Sequence, residues 1–466
     1  MNVVLRPPCE GRSITALVFC GAGIESCWLG ILALGNLRDH LPAFVGLFGA
    51  AFGFYLVACR LALTRRTAAP LWVMLAGAAM FRLTMLAAPP SLSDDLYRSV
   101  WEGRALLNGF SPYRFAPDAV ELAHLRDDVW AGVNNKDIPS PYPPLAQAYA
   151  MATALFSPTS VFGPKLLSAL IDTGIVLALL AWLRSGGLPD AALLLYAWAP
   201  LPVLVFAHSG HNDALMVLLL VAAMALGRRR YVGATLLALA TLAKIAPIVV
   251  APVLARRWGL GPTILFGGLC ALGYAPLLLL GGGAPGSLLA FATTWSDNDS
   301  LFFVLRFVLW PLAGLDPRPA KAVSAVILLA GVMVLATHRR TRDWPAHRQA
   351  LAALGLFLLL SSTVHAWYAV WLLPLLAYDL AFRNLQAPVR TALVYGWLPF
   401  SGLVALPYLT YADHVWQPWI SIAEYGPLFA ALVVAGVLWL RPAQPDDVLA
   451  TSAPSSAPAS VDGVGQ

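Results

Sequence analysis

Ser93-Asp-Asp-Leu-Tyr-Arg-Ser-Val-Trp-Glu-Gly-Arg104, with Gly109-Phe-Ser-Pro-Tyr113 close behind, is a polar stretch that begins where an apolar run over 70–88 ends. On both sides of it the chain is nearly uncharged. Of 466 residues, 59% are hydrophobic and 12% charged, and the mean hydropathy is +0.71. A soluble domain carries about a quarter of its residues as Asp, Glu, Lys and Arg, so disordered, fibrous and ordinary soluble classes are excluded. The chain reads as an integral membrane protein. Further apolar runs lie near 14–35, 41–63, 161–183, 190–207, 212–227, 231–255, 260–281, 320–337, 348–364, 366–380, 391–407 and 425–441. With about 20 apolar residues needed per crossing, the expected fold is all-α and polytopic, with about 12–14 transmembrane helices and a large outer loop carrying amphipathic helices. The first run is too long and too late to be a cleaved signal peptide.

Thirty Lys and Arg against 24 Asp and Glu give +6, and the basic excess sits in short clusters between apolar runs. That pattern marks membrane topology and excludes a nucleic-acid face. Arg6, Arg12, Arg60, Arg65, Arg66, Arg184, Arg228 to Arg230, Arg256, Arg257, Arg339, Arg340, Arg342, Arg383 and Arg441 are assigned to the cytoplasm. By parity, only one of 142–157 and 161–183 crosses, 301–315 lies on the outer surface, and 231–255 is a hairpin broken at Lys244-Ile-Ala-Pro247. The outer face then collects loop 89–141, His208-Ser-Gly-His-Asn-Asp213, Lys244, Ser296-Asp-Asn-Asp-Ser300, His365 and Tyr411-Ala-Asp-His414. Cys9, Cys20, Cys27, Cys59 and Cys270 have no metal-ligand spacing and read as small buried residues.

Paired Asp94 and Asp95 beside Arg98 and Arg104 can supply a general base, because each carboxylate raises its neighbour's proton affinity. The alternative is that both cap a helix from Leu96 to Asn108. Tyr142-Pro-Pro-Leu145 opens the next run with proline where a helix start accepts it. Lys244 either snorkels to the interface or awaits an anion. His365 adds a group that exchanges protons near neutrality. Asn298-Asp-Ser300 followed by Arg306 suits a phosphate or sugar, or is an ordinary N-cap. His208, His211, Asn212 and Asp213 are compatible with a metal but match its ligand patterns loosely. Within spans, Asp172 is a functional candidate and Glu25 reads as interhelical pairing.

Together, Asp95, Arg104-Ala-Leu-Leu with Gly109 and Pro112-Tyr113, Tyr142-Pro-Pro-Leu, Ala243-Lys-Ile-Ala-Pro247, Asn298-Asp-Ser-Leu301 and His365-Ala-Trp-Tyr368 resemble the GT-C superfamily of polyprenyl-phosphate-sugar-dependent glycosyltransferases. The similarity is to bacterial mannosyltransferases and runs over about residues 70–440. It implies a catalytic base at Asp95 or Asp94, with Asp95 better spaced to Arg104 and Pro112-Tyr113, and His365 assisting it. Lys244, Arg306 and Arg98 would hold the donor phosphate. Arg104, Tyr142, His211, Asn212, Asp213, Asn298, Trp367 and Tyr368 would bind substrate. In many relatives the acidic loop follows the first membrane helix, whereas here three runs precede it. Residues 1–66 are therefore read as a possible added module, 67–441 as the catalytic membrane domain, and 442–466, rich in Ala, Ser and Pro, as a disordered cytoplasmic tail.

The implied activity is an inverting transfer of mannose, or a related hexose, from a polyprenyl-phosphate sugar to a lipid-linked or cell-envelope glycan. It would take place on the outer face of the bacterial cytoplasmic membrane, with no cofactor and no metal. A lipid or glycan transporter is the alternative; it calls for ionisable residues at mid-membrane between repeated halves, and no repeat is seen.

Overall fold

The computed structural model describes residues 10–64, 70–280, 295–382, 384–413 and 415–441. Arg6, Cys9, Arg65, Arg66, Arg383, His414 and the 442–466 tail lie outside the described residues. Within them the chain is helical, and the only strand-like pairing is an isolated bridge between Asp297 and Thr363.

The main helices are α1 (Glu10–Leu34), α2 (Leu41–Thr64), α3 (Leu71–Ala87), α4 (Asp95–Leu107), α5 (Pro144–Phe156), α6 (Phe162–Ser185), α7 (Asp213–Ala225) and α8 (Arg230–Ala243). They continue with α9 (Leu260–Leu280), α10 (Leu301–Ala313), α11 (Arg318–Thr337), α12 (Ala346–Leu360) and α13 (Pro418–Leu440). Seven helical segments are long and apolar enough to cross a bilayer, with an eighth if the bent pair Asp190–Ala197 and Pro200–His208 is one span. The chain is an integral membrane protein. The sequence expectation was about 12–14 crossings, with 231–255 a broken hairpin; the described residues give seven or eight, because six apolar helices have only 10–17 residues. Proline accounts for some of the breaks. Ala199, ahead of Pro200, is driven out of the helical region to ψ 128°, and the two halves meet at 48°. Lys244 is extended ahead of Ile245-Ala-Pro247, which ends α8 where the sequence anticipated a break.

The parity expectations fare similarly. α6 spans while α5 has 13 residues, and α10 is likewise a 13-residue helix, too short to cross. Exposed Phe19, Trp72, Leu83, Leu177, Leu272, Val326, Ile422 and Val433 give the bundle an apolar exterior suited to lipid. Inside it, Arg82 on α3 donates to Asp172 on α6 at 2.8 Å, and the Tyr196 hydroxyl adds a bond to Asp172 at 2.6 Å. Thr84 donates to Glu25 at 2.5 Å, the interhelical pairing expected of that glutamate. Trp198 is wedged between α1 and α3, its ring 2.9 Å from where a Cβ on Gly21 or on Gly77 would stand and its Nε1 donating to the Met74 carbonyl at 2.9 Å.

Several helices run between two chemically distinct ends. At one, Arg256 donates to the carbonyls of Ala336 and Arg342, Arg257 to Trp344 and Gln349, and Trp344 meets Trp439. At the other lie Asp213, Lys244, the 361–365 segment and the beginning of α13. Between α3 and α5, the polar loop packs a small core of its own from Trp101, Ala105, Leu122 and Val133, with Phe110, Phe115 and Trp130 against it.

α4 lies so close to α5 that a Cβ on Gly103 would fall 2.1 Å from the Ala150 carbonyl oxygen. Gly103→Val should therefore lower the melting temperature in detergent by the equivalent of about 1–3 kcal/mol of overpacking. Differential scanning fluorimetry on purified protein checks this; an unchanged midpoint contradicts the close approach.

Candidate active site

The two adjacent aspartates turn out to have different environments. Asp94 stands at the N-cap of α4 without making a side-chain cap bond; it pairs instead with Arg38 at 2.8 Å, both about 40% exposed. Asp95 is the first residue of α4, with its own N–H on Ser93 Oγ at 3.3 Å and its carboxylate turned away from the helix end. Its carboxylate opens onto a small pocket lined by Asp95, Ser99, Glu102, Tyr142, Ala146, Ala150, Gly210, His211 and Asn212. There Asn134 Nδ2 donates to Asp95 Oδ1 at 3.3 Å, and His211 Nδ1 lies 3.8 Å from Oδ2.

Asn134 is held in place by a buried ion pair one turn into α4. Arg98 Nε donates to Glu102 at 2.8 Å, and its remaining donors reach the carbonyls of Asn134, Asn135 and Ile138 at 3.3, 3.1 and 2.6 Å. Glu102 in turn accepts from Ser140 at 2.8 Å and Gln147 at 2.7 Å. A buried guanidinium has five N–H groups to satisfy, and here the loop takes most of them. Arg98, expected to hold a phosphate, thus spends its donors on Glu102 and the loop. Arg104, expected to bind substrate, is likewise engaged within the loop: it grips Asp127 through both carboxylate oxygens, donates to the Leu125 and Pro158 carbonyls, and lies over Trp101.

Behind the pocket stands a stack. Trp367 lies between His211 (ring centroids 4.0 Å apart) and His365 (4.3 Å), and Tyr368 stacks on Trp371 at 4.4 Å. Lys244 lies 5.2 Å from the Tyr368 ring centroid and donates to Asp213 at 3.0 Å, while Trp371 Nε1 donates to the other Asp213 oxygen at 2.8 Å. Lys244 is thus not a free cation; Asp213 holds one of its three N–H donors.

Electrostatics follow this packing. Burial drives the His211 imidazole down to about 4 against the pull of Asp95 and Asp213, and burial likewise lowers His365. Burial opposes charge on Asp95 too, but His211, Lys244, His365 and the Asn134 bond outweigh it and hold the carboxyl below its ordinary range. With His211 neutral at pH 7, Lys244 is the lasting positive charge; its own proton is held above the usual lysine range because Asp213 overcomes burial.

Pocket and stack thereby bring together Asp95, His211, Asn212, Tyr142, Lys244, Asp213, His365, Trp367 and Tyr368. Asn298 joins from the side: Asp297 bridges Thr363, and Asn298 Nδ2 donates to the Val364 carbonyl at 3.0 Å, next to His365. Arg306 stands apart on α10, half-buried and 3.3 Å from Ser296 Oγ. His208 pairs with Ser209 at 3.0 Å. Among the described residues, no three His, Cys, Asp or Glu converge as a metal would require. Sequence reasoning missed Asn134 and Trp371. Asn134-Asn135 reads only as a turn, whereas Trp371, four residues after Trp367, repeats the stripe and was a usable signal.

Residues 21–259, just over half the chain, match the family model described as alpha-(1->6)-mannopyranosyltransferase, N-terminal domain. The chain belongs to this mannosyltransferase family. It is therefore a glycosyltransferase, and the mannosyltransferase resemblance drawn from the motifs is borne out. No curated protein matches the sequence. Among solved structures the chain is similar to the crystal structure of ArnT from Cupriavidus metallidurans bound to undecaprenyl phosphate, with 14% identity, 79% of this chain and 76% of that chain covered, and a TM-score of 0.43.

Two outcomes are expected. Arg98→Met should cost about 3–5 kcal/mol by leaving Glu102 charged and unpaired, and Arg98→Met with Glu102→Met should cost less than the sum of the single changes; chemical denaturation in detergent measures both, and additivity argues against the pair. His211, whose folded value lies below the unfolded value of about 6.5, should weaken the fold as pH falls through that window towards 4. ¹⁵N NMR of labelled histidine should show its ring half-protonated near pH 4, and a midpoint near the unfolded value contradicts the burial.

Proposed function

We propose that this membrane glycosyltransferase transfers mannose from a polyprenyl-phosphate sugar to a hydroxyl of a lipid-linked or cell-envelope glycan, with Asp95 as general base. The observation that carries the reading is Asp95 itself: it is the ionised aspartate opening onto the pocket, bonded by Asn134 and with His211 3.8 Å away, while Asp94 is taken by Arg38 on the surface. The family description supports an α-(1→6) linkage, which makes the acceptor a primary hydroxyl.

In the proposed step, Asp95 takes the proton of that hydroxyl as its oxygen attacks the anomeric carbon from the face opposite the phosphate. The bond between the anomeric carbon and the phosphate oxygen breaks, and polyprenyl phosphate leaves with the electron pair. Attack from the opposite face inverts the centre, so an α product requires a β-linked donor. A phosphate leaves readily when cations face its developing charge. Lys244, with N–H donors not used by Asp213, is the side chain we assign to that task; Arg306, which stands apart near the 296–300 turn, would serve only a phosphate that extends that far. Neutral His365 and His211, flanking Trp367, would orient the sugar against an aromatic face. The prenyl chain would lie against the apolar exterior.

The sidedness is proposed on charge. With the Arg256, Arg257 and Arg342 end in the cytoplasm by the positive-inside rule, the Asp95 pocket opens on the opposite leaflet, the periplasmic or outer face of a bacterial cytoplasmic membrane.

Asp95→Asn should lower transfer by about 10²–10⁴-fold, the span of general base catalysis, without lowering the melting temperature. Asp94→Asn, which removes only a surface pair of about 0–1 kcal/mol, should stay near wild type. The assay is incorporation of labelled mannose from polyprenyl-phosphate mannose into glycolipid by purified protein in liposomes; an active Asp95→Asn sinks the assignment.

A further inference from the structure

Glu424 lies in the first turns of α13 and is fully buried. One of its oxygens, Oε1, accepts from Asn298 Nδ2 at 3.1 Å, and the second hydrogen of that amide goes to the Val364 carbonyl at 3.0 Å. Two polar atoms are then left over in the same place. Glu424 Oε2 and Asn298 Oδ1 are both buried and have no partner among the described residues. Two acceptors cannot satisfy each other, but an acid O–H and an amide oxygen can.

The surroundings also disfavour a carboxylate. The charged side chain that faces Glu424 is Asp297, of the same sign, and Asp299 faces the adjoining Tyr425. From the neighbouring 387–391 helix, Arg390 is exposed. An ionised glutamate here would be a desolvated anion with one hydrogen bond, an arrangement that folded proteins avoid by taking up a proton.

We propose that Glu424 is kept as the neutral carboxylic acid and closes a two-bond ring with the Asn298 carboxamide: Asn298 Nδ2–H to Glu424 Oε1, and Glu424 Oε2–H to Asn298 Oδ1. Asn298 has the left-handed backbone value φ 49°, which asparagine tolerates better than other non-glycine residues. Tyr425, next to Glu424, donates its hydroxyl to the Asn298 carbonyl at 3.0 Å, so α13 holds this residue from both ends. From there the chain is short. The Asp297 N–H donates to the Ser362 carbonyl at 2.9 Å, and the Val364 N–H to the Asp297 carbonyl at 3.1 Å. His365 is the next residue. Glu424 is thus a positioning residue that fixes the His365 end of the pocket without touching it; this consequence rests on the function proposed above, whereas the protonation does not.

The test is pH-induced infrared difference spectroscopy on the full-length protein in lipid nanodiscs, combined with melting curves and mannose transfer across pH. Wild type should show a protonated-carboxyl C=O band at neutral pH that vanishes on alkalinisation. That band should be missing in Glu424→Gln and kept in Asp95→Asn. Glutamine can make both bonds of the ring, so Glu424→Gln should match wild type in stability and transfer at neutral pH. It should also lack the wild-type fall in both as rising pH strips the proton from Glu424. Glu424→Leu, able to make neither bond, should lose melting temperature and transfer. A neutral-pH spectrum without a Glu424 carboxyl band overturns the proposal. So does a Glu424→Gln variant that fails to fold or to transfer, or a Glu424→Leu variant indistinguishable from wild type. An active Asp95→Asn with the band intact would refute the base assignment alone.

Discussion

Arg98 and Glu102 face each other across one turn of α4, both nearly without solvent. Neither charge is tolerable there alone, and the way each completes its hydrogen bonding organises the loop around them. Arg98 gathers the carbonyls of the 134–138 turn, while Glu102 gathers Ser140 and Gln147 from the approach to and the body of α5. Asn134 is carried to Asp95 as a result. The proposed base therefore owes its orientation to an ion pair that need never touch substrate, and much of the polar composition of residues 93–147 goes into building the pocket wall.

That division explains what could be read in advance. Charge is scarce enough in this chain that each polar cluster between apolar runs drew attention, and Asp95, His211, Lys244, Asp213, His365 and Tyr142 do meet at one end of the bundle. Their partners were another matter. Nothing in Asp94-Asp95 says which of the two faces a pocket; Arg38, 56 residues upstream in the chain, decides it. Arg98 and Arg104 looked available because burial by a loop's own carbonyls leaves no mark in the sequence. Lys244 was correctly singled out as an unusual charge, yet its pairing with Asp213 follows from how α7 and α8 pack. The spans show the same asymmetry: hydropathy located the apolar segments, whereas their division into long helices, short helices and bent pairs depends on proline positions and tertiary fit.

The aromatic stack supplies what a charged pocket lacks. Imidazoles on both faces of Trp367 are desolvated by it and stay neutral at pH 7, so they contribute surface and hydrogen-bonding edges there and add positive charge beside Asp95 only when acid protonates them. Lys244 gets the opposite treatment, its charge preserved by Asp213 and by the faces of Tyr368 and Trp371. Packing thus reinforces what residue type begins: burial deepens the neutrality of the two imidazoles, and Asp213 secures the ammonium that burial alone would discharge.

The Trp198 wedge carries a different kind of consequence. Gly21, Gly77 and Trp198 come from three separate helical segments, yet the indole fills the space that a side chain on either glycine would need. None of the three can change size independently. A lineage could replace either glycine only after shrinking the tryptophan, and would then have to refill the gap from both sides. The three positions should therefore drift through evolution as a single unit, with intermediates that are either overfilled or hollow.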